Sequence, residues 1–281
     1  MFLKWLDPSL PSLLPELLLL FGLALIVSSI GFYRVVYFIS VGYAFSIVGM
    51  ALVTPLRHLD NLGWASALQT IFLLIWGVRL GLFLVQRELR SSYSKAIAEV
   101  HERSARMSLG TKALIWVGVS VLYVLMFSPS LFGLTASPSS SPWLVALVQA
   151  LGLVIMGGGL LLETVSDKQK SDFKAHHPFQ FCDVGLYQYA RCPNYLGEIG
   201  FWVGNWILGI PYYDSPLKWI ASLIGMVCIV LIMMGSTKRL EESQDSRYGS
   251  QPSYQTYVRT VPVLVPFVPI YSLKNLRVFL E

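Results

Sequence analysis

The chain has 281 residues and a net charge of +5 at neutral pH, from 21 lysine and arginine residues against 16 aspartate and glutamate residues. Hydrophobic residues make up 54% of it, charged residues only 13%, and its mean hydropathy is +0.59. Since soluble proteins carry about 25% charged residues, most of this surface must face something other than water. The composition excludes a disordered, collagen-like or nucleic-acid-wrapping protein and indicates a polytopic membrane protein.

Apolar runs long enough to cross the hydrocarbon core as helices, about 20 residues each, occur along the whole chain. In chain order they lie at 13–31, 35–56, 64–85, 113–134, 143–162, 195–210 and 217–235. The sixth run is the weakest, because it is short and contains Glu198. No small-residue cleavage site follows the first run, so we expect a retained span rather than a removable signal peptide. The sequence therefore predicts an all-α protein with seven transmembrane helices.

Basic residues are concentrated after the third, fifth and seventh predicted spans. Seventeen of the 21 fall on that side of the predicted bundle, against Lys4, Arg57 and Lys218 on the other. By the positive-inside rule, this asymmetry places the N-terminus outside and the C-terminus in the cytoplasm. The three cysteines then lie in the cytoplasm or within a span, so we expect free thiols rather than disulfides.

The start of the sixth predicted span carries the most specific polar pattern. Pro193 suits the first turn of a helix, where a missing N–H costs nothing, and Asn194 and Glu198 are spaced to share one helix face. Arg191 stands just before this helix, whose unpaired N–H groups favour an anion such as phosphate. The carboxylate of Glu198 could form a hydrogen bond with an amide or hydroxyl group of a ligand. The alternative is that Asn194 and Glu198 only join two helices by hydrogen bonds.

The polar stretch 163–190 before this helix adds further candidates for ligand contacts. Glu163 and Asp167 are one turn apart at the end of the fifth span, Lys174 follows, and Tyr187 and Tyr189 can stack on a base. Taken singly, such residues more often form a solvated helix face or an aromatic belt at the membrane interface. Together with the arginine that follows them, they favour a cytoplasm-facing pocket for an anionic ligand.

Several familiar sites are absent from the sequence. There is no G-x-G-x-x-G dinucleotide fingerprint, no Walker A motif and no H-E-x-x-H motif. The histidines at 176 and 177 and the cysteines at 182 and 192 match no standard zinc spacing, so we expect no metal. The glycines 157–159 are expected to allow close packing of helices. The apolar, proline-bearing run 261–267 is too short to cross the membrane, so we expect it to fold back as a lid or an interfacial segment rather than a disordered tail.

The stretch 185–198, with the sequence GLYQYARCPNYLGE, resembles the C-terminal domain of steroid 5α-reductases and of related bacterial membrane proteins of uncharacterised function. That family shows a G-L-W/F stretch followed by R-H-P-N-Y-x-G-E. The segment 163–170 resembles the bacterial branch, and the tail elements 254–257 and 263–267 also fit. The resemblance covers about 150–267. Sterol reductases and isoprenylcysteine carboxyl methyltransferases carry related versions of the motif.

This resemblance implies a membrane reductase that uses NADPH, entering from the cytoplasm, to reduce an activated carbon–carbon double bond in a lipid-like or steroid substrate. It assigns residues 1–110, with three spans, to the substrate side. Residues 111–281, with four spans and cytoplasmic loops, are assigned to the cofactor. The implied cofactor-binding residues are Glu163, Asp167, Lys174, Tyr187, Tyr189, Arg191, Asn194, Glu198, Arg239 and Arg259.

The chain also departs from the steroid enzymes. Cys192 replaces the usual histidine, and an asparagine of those enzymes is Glu163 here. The second span contains no glutamate to polarise a substrate ketone. Tyr43, Gln69 and Arg79 are possible substitutes, and nothing in the sequence chooses among them. We take Glu198, Tyr43 and Arg79 as the candidate catalytic residues.

Two other classes of function stay open. One is a membrane methyltransferase that uses S-adenosylmethionine, which shares the Arg-x-Pro-x-Tyr turn and an acidic pair at 241–242. The other is a non-enzymatic lipid-binding protein or transporter, although the absence of inverted halves speaks against a transporter. In every case the expected partners are membrane lipids and a lipid-like small molecule. The expected location is a multi-pass position in a bacterial inner membrane or a membrane of the endoplasmic reticulum type.

Overall fold

The structure is a computed structural model that describes Asp7, residues 9–88 and residues 107–275. These residues form helices and connecting turns, and no strand occurs among them. The main helices are α1 (Leu10–Ser28), α2 (Val41–Arg57), α3 (Trp64–Glu88), α4 (Leu109–Thr135), α5 (Pro142–His176), α6 (Pro193–Gly209), α7 (Pro216–Tyr248) and α8 (Pro252–Thr260). The prediction of an all-α protein is confirmed for this part of the chain.

Six helical segments are long and apolar enough to cross a membrane, with mean hydropathies of 1.9 to 2.3. They are Leu10–Phe32, Val35–Arg57, Trp64–Gln86, Leu109–Thr135, Pro142–His176 and Pro216–Tyr248. They support a multi-pass integral membrane protein. Helix α6, the predicted sixth span, has 17 residues and is not among the six. The count of seven spans and their orientation therefore stay predictions.

Helices α5 and α7 are longer than a bilayer requires. With 35 and 33 residues, they are about 52 and 50 Å long, whereas the hydrocarbon core is about 30 Å thick. Each apolar run therefore continues as a polar helix. The extension of α5 carries Glu163, Asp167 and Lys174, and that of α7 carries Arg239 and Glu241. Two sequence-distant sets of polar side chains are thus held on rigid helical supports.

The first compact unit comprises Met1–Leu153 and Asn205–Met226. Its interior contains Tyr43, whose ring lies 5.4 Å from that of Tyr123 in a stacked arrangement. Gln69 Nε2 donates to Asn205 Oδ1 over 2.9 Å, and both amides are buried. Asn205 Nδ2 in turn donates to the carbonyl of Met126 over 3.1 Å. This unit therefore combines aromatic packing with a buried chain of amide hydrogen bonds.

The second compact unit comprises Val154–Gly204 and Val227–Glu281, and its helices α5 and α6 meet at two glycines. A Cβ atom added to Gly159 would lie 2.5 Å from the Gly197 carbonyl oxygen. One added to Gly197 would lie 2.5 Å from the backbone nitrogen of Glu163. Only hydrogen fits at either position, as in other close helix contacts within membranes. The predicted role of the glycines at 157–159 is thereby confirmed for Gly159, whereas Gly158 faces open space.

The segment after α8, residues 261–275, which we call the C-terminal loop, is ordered and packs within the second unit. Its buried side chains are Val263, Leu264 and Leu273, which pack with Cys192. The backbone N–H groups of Arg191 and Cys192 donate to the carbonyls at 262 and 263 over 2.9 and 3.0 Å. The loop therefore folds back onto the start of α6, as expected from its apolar character.

Candidate functional site

A buried polar patch lies where α5 meets α6 in the second unit. On α5, Glu163 and Asp167 are 2% and 8% exposed, and on α6, Glu198 is 7% exposed. Asn194 Nδ2 donates to Asp167 Oδ1 over 3.2 Å. Because the glycine contact joins the same two helix faces, the structure brings these four predicted residues to one interface. Ionisable groups buried in a membrane bundle are costly, which makes the patch a candidate site.

Asn194 keeps an unused acceptor in this patch. Its Oδ1 atom is buried and accepts no hydrogen bond from the part of the chain that the structure describes. A buried acceptor without a donor costs about 1–3 kcal/mol. The orientation of the amide is set by Asp167, a carboxylate that requires the Nδ2 side. The oxygen is therefore available to an N–H or O–H group of a ligand.

Arg191 lies at the start of α6, in a buried ion pair. It is 3% exposed, and its Nη2 atom lies 2.8 Å from Glu241 Oε1 on α7. Nη2 also donates to the carbonyl of Tyr271, and Glu241 Oε2 accepts from the Leu273 N–H over 2.8 Å. Arg191 Nε is buried and has no partner among the described residues. Sequence reasoning predicted the arginine as an anion ligand but missed Glu241 as its partner.

An open cavity of about 310 Å³ adjoins this ion pair in the second unit. It is lined by Arg191, Glu241, Asp245, Val258, Arg259, Tyr271, Ser272 and Lys274. Three cationic side chains thus meet two carboxylates, so the lining is slightly positive. Arg191 and Arg259, far apart in sequence, are brought together here. A second cavity of about 210 Å³ is lined by Gln188, Tyr189, Thr260, Pro262, Phe267 and Tyr271.

Other predicted ligand residues support the local fold. Lys174 Nζ donates to the carbonyl of Gln180 and, over 2.9 Å, to the hydroxyl of Tyr248. Tyr187 is 1% exposed, and its carbonyl accepts from the Tyr257 hydroxyl over 2.7 Å. These contacts hold the loop between α5 and α6. Tyr187 therefore offers no open ring face for a base.

The remaining candidates lie elsewhere. Arg239 is exposed on α7 and donates to Ser236 Oγ over 2.9 Å. Tyr43 is buried in the first unit, and Arg79 on α3 is half-buried there. Among the described residues, no cluster of histidine, cysteine and acidic side chains is suited to hold a metal ion.

The cysteines are free, and Cys182 and Cys192 are buried. Burial raises the pKa of the Cys192 thiol to about 11 and also raises the pKa of the Cys182 thiol.

Only the thiolate is nucleophilic. At pH 8, we therefore expect Cys192 to react with iodoacetamide roughly 200-fold more slowly than an ordinary thiol of pKa about 8.5. Mass spectrometry of the labelled protein measures this, with the denatured protein as control. Labelling of native Cys192 at the control rate would contradict the prediction.

Six helices long and apolar enough to span a membrane support a multi-pass membrane protein, and the α5–α6 interface gives it a buried polar site. A family model described as "Protein of unknown function (DUF1295)" matches residues 25–261, which is most of the chain. The protein therefore belongs to this family. The match includes α5, α6, Arg191 and Glu241. Comparison with curated proteins and with solved structures finds no match.

Proposed function

We propose that this protein is a membrane-embedded reductase that uses NADPH to reduce an activated carbon–carbon double bond in a lipid-like substrate. A 3-oxo-steroid is one candidate substrate. The observation that carries the proposal is the unused buried acceptor of Asn194, held by Asp167 at the α5–α6 interface. The family also includes, in general, steroid 5α-reductase-like membrane proteins.

The residues at the interface fit the nicotinamide end of such a cofactor. When bound, NADPH would supply a hydride. Asn194 Oδ1 would accept a hydrogen bond from the carboxamide N–H of the ring, and Asp167 would hold Asn194 in the required orientation. Glu198, four residues along the same helix face, would accept a second bond. The site thus provides acceptors that match an amide.

The cationic side chains fit the phosphates of the cofactor. Arg191 Nε has an N–H to donate, and Arg259 and Lys274 line the same cavity, where Lys274 is paired with Asp245. Basic residues that face an anionic ligand stabilise it by charge-assisted hydrogen bonds. Under this proposal the cofactor enters from the cytoplasm. The proposal also includes seven spans with the N-terminus outside, in a bacterial inner membrane or a membrane of the endoplasmic reticulum type.

The reaction also needs a donor at the substrate. Addition of a hydride to the β-carbon of an enone moves negative charge onto the carbonyl oxygen, so a hydrogen-bond donor must lie there. Tyr43, Gln69 and Arg79, all in the first unit, are the candidates for this donor. Gln69 already donates to Asn205.

Thermal stabilisation of the purified protein by NADPH, NADH and S-adenosylmethionine tests the proposal. A ligand at 100 times its Kd stabilises a protein by about 2.7 kcal/mol, so NADPH is expected to raise the Tm most. Asn194→Ala removes the acceptor and is expected to weaken NADPH binding by up to about tenfold, since one such bond contributes about 0.5–1.5 kcal/mol. Gln86→Ala, an exposed amide on α3, is the control and should bind as the unchanged protein does.

Two outcomes would overturn the reductase. Stabilisation by S-adenosylmethionine alone would favour the methyltransferase. One structural observation also supports that alternative. The ion pair between Arg191 and Glu241 joins the arginine turn to the acidic pair, the two elements on which that alternative rests. No response to any of the three compounds would favour a non-enzymatic lipid-binding or transport protein.

A further inference from the structure

The C-terminal loop has an apolar side that no described residue of the second unit covers. While Val263, Leu264 and Leu273 are buried, Phe267 is 90% exposed, and Ile270 and Val265 are 50% and 45% exposed. An exposed cluster of large apolar side chains generally marks a contact with a protein or a membrane. The loop therefore needs a partner for its outer side.

The backbone holds the exposed phenylalanine in an unfavourable conformation. Phe267 has φ = 65°, the left-handed region, which a bulky residue rarely adopts. Such a conformation persists only where the surrounding structure enforces it, and it is often found at functional positions. Here the buried side chains on both sides of the turn and the hydrogen bond from Val263 N to the Ile270 carbonyl, 2.9 Å long, hold it.

The position of the loop along α7 indicates which partner it meets. Met234 and Leu240 of α7 pack against the cluster that its buried side chains form with Cys192. The apolar run of α7 ends at residue 235, and its 19 residues are about 28 Å long, close to the thickness of the hydrocarbon core. A loop packed against residues 234 and 240 thus lies at the level where α7 leaves the hydrocarbon. A phospholipid surface is the apolar partner found at that level.

The charge around the loop suits the same partner. Arg239 is exposed on α7, one turn beyond the apolar run, and Arg259 is exposed near the end of α8, while Lys274 is paired with Asp245. Basic residues close to a membrane attract anionic lipid headgroups, while apolar and aromatic side chains enter the headgroup region. We propose that the C-terminal loop is an interfacial anchor that inserts Phe267, Val265 and Ile270 into the headgroup region of the bilayer. This inference does not depend on the reductase.

Site-directed spin labelling tests the anchor in liposomes of neutral and anionic phospholipids. A nitroxide is attached at Phe267→Cys, where it retains an apolar group. The protein also carries Cys228→Ala, and because the two other cysteines are buried, the label reacts at position 267. Its accessibility to oxygen, which enters lipid, is compared with that to a water-soluble nickel complex. Ser246→Cys is the control in water, since it is exposed about 16 Å beyond residue 235 along α7. Val227→Cys, within the apolar run, is the control in lipid.

The anchor predicts an oxygen-to-nickel ratio at position 267 between the two controls, corresponding to a depth of about 5–10 Å. A label at Ile270→Cys should give a similar ratio and serves if the first variant fails to fold. Ratios at both positions equal to that of Ser246→Cys would overturn the proposal. In a protein that also carries Phe267→Gly, which relieves the left-handed backbone, the label at 270 should move towards the value in water without a lower Tm. An unchanged ratio there would show that Phe267 does not hold the loop in the bilayer.

Discussion

Glu241→Ala is expected to lower the free energy of unfolding by about 3–5 kcal/mol, because it leaves Arg191 charged and buried without its partner. Both side chains of the pair are at most 3% exposed. The same substitution removes the acceptor of the Leu273 N–H. The C-terminal loop should therefore loosen together with the ion pair. The Tm in detergent and the rate of amide hydrogen exchange at 261–275 measure these effects.

The neighbouring carboxylate supplies a matched control. Glu242 is exposed, so Glu242→Ala should change stability by less than about 0.5 kcal/mol. The double variant Arg191→Met with Glu241→Leu removes both charges and should recover part of the loss, as apolar replacements of buried ion pairs often do. Equal effects of Glu241→Ala and Glu242→Ala would show that the ion pair does not stabilise the fold.

Gly159→Ala is expected to disrupt the α5–α6 contact. The added methyl group would lie 2.5 Å from the Gly197 carbonyl oxygen, and a backbone atom cannot move without moving its helix. Overpacking of this kind costs about 1–3 kcal/mol or more. Because Asn194 and Asp167 lie on the same two helix faces, their hydrogen bond should also be displaced. The expected result is a lower Tm and loss of stabilisation by NADPH.

Gly158→Ala distinguishes this effect from the general effect of replacing a helical glycine. Gly158 meets no atom within 4 Å of an added Cβ. Alanine favours a helix over glycine by about 1 kcal/mol, so this variant should be neutral or slightly more stable. Gly159→Ala should therefore lower the Tm, while Gly158→Ala should leave the Tm unchanged or raise it slightly. If Gly159→Ala lowered the Tm no more than Gly158→Ala did, the close contact at Gly159 would be contradicted.

The sequence predicted the helices well because apolarity and length are local properties. The run at 13–31 corresponds to a helical segment Leu10–Phe32, and the run at 217–235 to the apolar part of α7. The i, i+4 spacing of Asn194 and Glu198 also correctly placed them on one helix. The close helix contact at Gly159 was predictable from the residue type alone, since only small residues allow two helices to approach so closely.

Pairing between distant segments was not predictable in the same way. Arg191 had several candidate partners, and neither charge nor spacing selects Glu241, 50 residues away. The same holds for Gln69 and Asn205, whose amides meet across 136 residues. The sequence shows that the sixth predicted span contains a polar residue, Glu198, but the partner of such a residue depends on how the helices pack. Local pattern therefore identifies the groups, while tertiary structure decides which of them remain available to a ligand.

The order in which these contacts become possible during synthesis has a consequence for biogenesis. The glycines of α5 and α6 are close in sequence, so their contact can form early. Arg191, in contrast, meets the carbonyl of Tyr271, which lies 80 residues later. At about 5–20 residues per second, translation takes roughly 4–16 s to reach it. For that time the guanidinium lacks the Tyr271 carbonyl, so the start of α6 cannot complete its contacts until the C-terminal loop has been synthesised.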